Sequence, residues 1–249
     1  MTIRKQDDTV MENRVAYVRL SIPKEMEMIG CEPFTVEQEK RLMEYFSKRR
    51  YAERNIALLT FGIQTGFRIS EILSLTRGDV IKGDKMVDRV YMRRYNMKGG
   101  KGDKRGGTHG RAMLLTDNTK KALKAQLDYI AKRGYTNNDD FVFQGQRSGN
   151  TPIAGNGVWR MISGACDDLE ISGKMGTHSM RKTFAARIYD NLLGRDRCDA
   201  LRVLAAGLGH ENINNTTKYL SFREDELISA IQEVFGGQSK ENESDYMFD

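Results

Sequence analysis

The stretch from Ala52 to Leu75 constrains the fold more than any other, because it sets two apolar helical segments and one arginine around a single sharp corner. Ile56, Leu58, Leu59 and Phe61 make the first segment apolar; Ile69, Ile72, Leu73 and Leu75 do the same for the second. Gly66 stops the first helix. Arg68 then falls at the junction, near the N-terminus of the second helix, where anions such as phosphate are favoured. The plainer alternative is a surface arginine that caps a helix end. Glu71, three residues on, can orient Arg68 by a salt bridge.

The rest of the chain reads as helices around this corner, with a few strands. Thr35-Val36-Glu37-Gln38 has the capping-box pattern, and Leu42, Tyr45 and Phe46 supply the apolar face of the helix it opens. A compact domain therefore starts near Phe34, after an arm over 1–33. Val80-Ile81, a turn at Lys82-Gly83-Asp84-Lys85, Met86–Tyr95 and Arg111–Leu115 read as strands. Helices are expected over Asn118–Lys132 and Asn156–Leu169, with Trp159 and Cys166 in packing roles. Thr177 is the candidate N-cap of a helix that carries His178 and Arg181 on one face, and Met180, Phe184 and Ile188 on an apolar stripe. Leu201, Leu204 and Leu208 line a further helix that ends at Gly209. The fold class is mainly α with a small antiparallel β-sheet.

Leu208-Gly209-His210 is followed by the Asn/Thr-rich segment Glu211 to Thr217, then by Tyr219. Asn and Thr side chains bond nearby backbone and favour turns, so this segment holds a phenol on a short, adjustable element close to an imidazole. A phenol has an ordinary pKa of about 10, and its attack near neutral pH calls for neighbouring cations. Arg68 and Arg181 are the candidates.

Charge agrees with a polyanionic partner. Lys and Arg exceed Asp and Glu by 40 − 34 = +6. Without residues 238–249, which hold one Lys against Glu241, Glu243, Asp245 and Asp249, the balance is 39 − 30 = +9. Residues 236–249 read as an acidic, disordered tail. Three cysteines, Cys31, Cys166 and Cys198, show neither disulfide nor zinc spacing. Nothing reads as a secretory leader or membrane span, so a cytoplasmic protein is expected. Asn96–Gly110 is a glycine-rich loop with Lys98, Lys101, Lys104 and Arg105; it lacks the Ser or Thr and the helix of a nucleotide-binding phosphate loop, and by itself reads as a solvated hairpin tip. His109 in the same loop has no assigned role.

Taken in order, Thr65-Gly66-Phe67-Arg68-Ile69-Ser70-Glu71-Ile72-Leu73, His178-x-x-Arg181, Leu208-Gly209-His210 and Tyr219 resemble the tyrosine recombinase (phage integrase) family, over about Phe34 to Phe235. The resemblance implies the DNA breaking-rejoining fold for 34–235, with Arg68, Lys98, His178, Arg181, His210 and Tyr219 as catalytic residues and Glu71 supporting. It implies that a hairpin lysine protonates the leaving oxygen, with Lys98 the choice and Lys101 next. Lys101, Lys104, Arg105 and Arg111 would contact DNA. The expected activity is metal- and cofactor-free strand exchange on double-stranded DNA through a 3′-phosphotyrosyl intermediate, in the nucleoid.

Two features depart from the family. The loop is longer than usual, and only 1–33 precedes the catalytic region, where members carry a clamp domain. Either the 1–33 arm substitutes for that domain, or an accessory DNA-binding protein or cooperative assembly does. The amphipathic segment Arg223–Phe235 packs either on its own domain or, as the resemblance implies, on a neighbouring protomer in a DNA-dependent homo-oligomer. Alternatives in function are a type IB-like topoisomerase, a hairpin resolvase, or a catalytically silent DNA-binding regulator.

Overall fold

A computed structural model describes residues 30–92, 111–146, 149–210 and 212–217. The 93–110 loop, Tyr219, the 223–235 segment, the tail and nearly all of the arm lie outside the described residues.

Helix α1 (Val36–Ser47) opens as its sequence demands. The Thr35 hydroxyl accepts the Gln38 N–H at 3.1 Å, and the Gln38 side chain accepts the Thr35 N–H at 3.0 Å. Helix α2 (Ala52–Thr65) is the axis of the domain, buried on nearly every side through Ala57, Leu58, Leu59, Phe61 and Ile63. It ends at Gly66, which adopts φ of 62° and returns its N–H to Gly62. That left-handed residue lets α3 (Ile69–Leu73) start three residues later, with Arg68 at its N-cap.

A short helix, α4 (Arg77–Val80), replaces the start of the first expected strand. The Asp79 carboxylate accepts both the N–H and the hydroxyl of Thr76, and this local cap holds Val80 in a helical turn. Strands β1 (Ile81–Lys82) and β2 (Lys85–Met86) form a small hairpin across Gly83. Strands β3 (Arg89–Met92) and β4 (Arg111–Leu114) pair antiparallel with Met92 opposite Arg111, so the residues between them leave and return at one point.

Helices α5 (Asp117–Ala131), α6 (Gly155–Asp168), α7 (Thr177–Leu193), α8 (Ala200–Leu208) and α9 (Asn214–Thr217) complete the described architecture, and α2 packs against α1, α5 and α7. Among the described residues no helix is long and apolar enough to cross a membrane. Cys166 is buried, and burial pushes its thiol pKa up to about 11.

The close approach of α7 to α2 depends on two glycines one turn apart. A Cβ on Gly62 would fall 2.5 Å from the Met180 sulfur, and one on Gly66 would strike the Phe184 ring. Of the expected stripe, Met180 is buried and Phe184 half-buried, while Ile188 is exposed. Gly66→Ala should therefore destabilise twice, through its positive φ and through overpacking, by about 2–4 kcal/mol in urea unfolding. A cost within 0.5 kcal/mol would show that the corner yields easily.

Helix α7 begins one residue away from expectation. Gly176, not Thr177, is the N-cap; its N–H goes to the Ser179 hydroxyl at 3.1 Å. A Cβ at position 176 would lie 3.0 Å from the Trp159 ring, so a side chain there would press on it. Trp159 itself is 51% exposed, which leaves only part of its ring to packing.

Candidate active site

Glu71 is the centre of the site, and its side chain has no solvent exposure. Its carboxylate accepts the Arg68 N–H at 2.6 Å, Arg68 Nη1 at 3.2 Å and Arg111 Nη2 at 2.5 Å. A buried carboxylate is tolerated only with such partners. The anticipated Arg68–Glu71 bridge is thus part of a larger cluster, at whose edge Arg68 keeps 21% of its side chain accessible.

Arg111, expected among the DNA contacts, is 8% exposed, and the donors it commits are committed to protein. Besides Glu71 it donates through Nη1 to the carbonyls of Leu208 at 2.7 Å and Gly207 at 3.3 Å, and its guanidinium lies 4.4 Å from the centre of the Phe67 ring. Burial pushes its pKa down to about 10, against the pull of Glu71, so it is a cation at neutral pH. Arg111 is a strut that ties β4 to α3 and to the end of α8.

Arg181 is 1% exposed. It donates through Nη1 to the Gly66 carbonyl, and through Nη2 to the Leu208 carbonyl at 2.8 Å and to His210 Nε2 at 2.9 Å. The corner that positions Arg68 therefore also anchors Arg181. His178 stands in the first turn of α7, exposed, one turn before Arg181.

His210 follows the left-handed Gly209 that ends α8, at φ of 66°. Its Nδ1 lies 2.9 Å from the Thr216 hydroxyl on α9. Burial, then the charges of Arg181, Arg68 and Arg111, push its pKa down to about 4. The ring is neutral at physiological pH. Because the unfolded chain would take up a proton near pH 6.5 that the folded chain refuses until about 4, His210 contributes stability above that window that is lost as pH falls through it. A guanidinium only donates, so Nε2 is an acceptor here.

The structure thus brings Arg68, Glu71, Arg111, Arg181 and His210 into one cluster, with His178 one turn away on the helix of Arg181. Tyr219, Lys98, Lys101, Lys104 and Arg105 lie outside the described residues. The Asn/Thr segment behaves as its composition requires: the Asn212 side chain accepts the Asn214 N–H at 2.9 Å and starts α9. Thr216, unassigned from sequence, is fully buried against the site. Two guanidiniums, Arg68 and Arg111, meet at one carboxylate, with Arg181 anchored on the same corner, and arginine forks match a phosphodiester.

The phage integrase family model matches residues 32–226. Among curated proteins the chain is 28% identical over 230 residues to the tyrosine recombinase XerC of Bacillus pumilus, covering 89% of this chain and 66% of that one. It is 27% identical over 183 residues to XerD of Oceanobacillus iheyensis, covering 72% and 54%. The chain spans between about half and two thirds of the length of these relatives. Among solved structures, XerA recombinase superposes with a TM-score of 0.59 at 24% identity over 82% of this chain and 65% of that one. XerH recombinase bound to palindromic difH substrate gives 0.58 at 21% identity over 80% and 52%. The described fold is that of a tyrosine recombinase catalytic domain, helix-rich with a small antiparallel sheet.

Proposed function

The chain belongs to the phage integrase family, and from that premise we propose that it is a site-specific DNA strand transferase that cleaves and rejoins double-stranded DNA through Tyr219. The observation that carries this reading is the convergence of Arg68 and Arg181, from separate elements, on the Gly66 corner and the Glu71–Arg111 cluster. Two forks so placed can take the non-bridging oxygens of a phosphodiester and stabilise the charge that builds up during attack.

In this reading Tyr219 attacks phosphorus in line and forms a 3′-phosphotyrosyl bond, while the 5′ oxygen leaves with a proton from Lys98, or from Lys101 in the alternative register. His178, exposed beside the site, accepts the phenol proton or bonds a phosphoryl oxygen. The 5′ hydroxyl of another strand then attacks the phosphotyrosine, regenerating the phenol and joining the DNA without an external energy source. Lys104 and Arg105 contact the DNA backbone. Arg181 is 1% exposed, so a phosphate reaches it only when a covering group moves aside.

DNA as partner is supported by relatives whose structures hold it, including the Tn1549 transposon integrase with transposon right end DNA and a lambda integrase dimer on a core site. Assembly through 223–235 on a neighbouring protomer, help from an accessory DNA-binding protein, and action in the cytoplasm at the nucleoid belong to the same proposal. So does the division into a 1–33 arm, a 34–235 catalytic domain and a 236–249 tail.

The test is to recover DNA covalently trapped on the protein and sequence its ends. Ends that recur at one sequence, with junctions joining two such sites, are the expected result. Relaxed circles or closed hairpin ends without such junctions would transfer the chemistry to a topoisomerase or resolvase, and DNA bound without any covalent link would leave a silent regulator.

A further inference from the structure

The bond between His210 and Thr216 has a direction that the rest of the cluster forces. Arg181 can only donate, so Nε2 of His210 is the acceptor of the 2.9 Å contact with Nη2. A neutral imidazole then carries its proton on Nδ1, and the hydroxyl 2.9 Å from Nδ1 is the acceptor of that proton. The order runs from Arg181 to His210 to Thr216, each donating to the next.

The hydroxyl is placed for this and little else. Thr216 is fully buried, and the backbone around it is tied locally, its own N–H to the Ile213 carbonyl at 2.8 Å and the Thr217 hydroxyl to the Asn214 carbonyl at 2.9 Å. Helix α9 is therefore a small platform whose one buried side chain meets the imidazole, three residues before Tyr219 in sequence.

We propose that Thr216 is a positioning residue whose hydroxyl accepts the Nδ1–H of His210 and so holds the ring with Nε2 against the Arg181 fork. This rests on the recombinase reading for its consequence, not for its geometry. Without the hydroxyl the Nδ1–H loses this bond, and the ring is no longer fixed in the orientation that points Nε2 at Arg181. Arg181 then loses one of its anchors. The same bond ties the imidazole to the segment that leads to Tyr219, so the loss affects the aim of both the fork and the nucleophile.

The experiment compares wild type, Thr216→Ser and Thr216→Val by long-range proton–nitrogen NMR of the His210 ring, with thermal melting as a check on folding, and by the rate of covalent adduct formation on nicked DNA carrying the recovered site. Wild type and Thr216→Ser should show the Nδ1–H pattern. Thr216→Val should lose the exchange-protected Nδ1–H signal and form adduct about tenfold more slowly, the worth of one lost hydrogen bond. An Nε2–H ring in wild type would overturn the assignment, as would a Thr216→Val protein with a wild-type Nδ1–H signal and rate. Equal impairment in Thr216→Ser would also overturn it, by showing that the methyl group, not the hydroxyl, matters. If wild type forms no adduct on any DNA, the recombinase reading fails while the NMR pattern still decides the Thr216 bond.

Discussion

Tyr219→Phe should bind its DNA with unchanged affinity and form no SDS-resistant adduct. The substitution removes one oxygen atom and keeps the ring, so packing and DNA contacts persist while the only proposed nucleophile is gone. The described part of the site supplies what such a nucleophile needs, arginine forks to hold a phosphate, but among its members no hydroxyl other than that of Thr216 lies at the cluster, and that one is bonded to His210. An aliphatic hydroxyl is also a poorer nucleophile near neutral pH than an assisted phenol. The measurement is gel retardation beside denaturing electrophoresis with a nicked substrate. An adduct that survives Tyr219→Phe would move the nucleophile elsewhere, and a loss of binding together with the adduct would make Tyr219 a structural residue.

Arg111→Met carries the largest expected cost in stability, about 3–5 kcal/mol by urea unfolding. Methionine fills much of the same space but leaves the buried Glu71 carboxylate without the donor at 2.5 Å, and the Gly207 and Leu208 carbonyls without theirs. Glu71 would retain only its bonds to Arg68. The double variant Arg111→Met, Glu71→Gln removes the stranded charge as well, so it should be more stable than Arg111→Met alone. Adduct formation should fall in Arg111→Met because Arg68 and the end of α8 lose a common brace. A cost below 1 kcal/mol together with weakened, more salt-sensitive DNA binding would instead return Arg111 to the surface role first expected of it.

These two results separate two kinds of information. Helix ends were legible in the chain, because a cap or a left-handed glycine acts within one turn. Thr35 with Gln38, Gly66 after α2 and Gly209 after α8 all sit where local rules put them. The Arg68–Glu71 bridge, three residues apart at the start of α3, was legible for the same reason. The short α4 is a local feature too, yet the apolar Val80-Ile81 pair masked the Thr76–Asp79 cap that decides it.

By itself the sequence determined the family, since the segments around Arg68, His178, Arg181, His210 and Tyr219 stand in the order that resembles it, and that resemblance named them as candidates. What only the tertiary structure decided is how their charges and protons are arranged. Glu71 is a hub because Arg111, 40 positions away, arrives from another element; Arg111 is a strut because the Leu208 carbonyl, 97 positions away, faces it. Gly176 is pressed by the Trp159 ring, 17 positions away, where a side chain would crowd it. His210 is neutral and accepts at Nε2 because burial and three cations surround it. Hydrogen bonds and desolvation depend on which groups meet after packing, and neither composition nor spacing along the chain specifies that meeting.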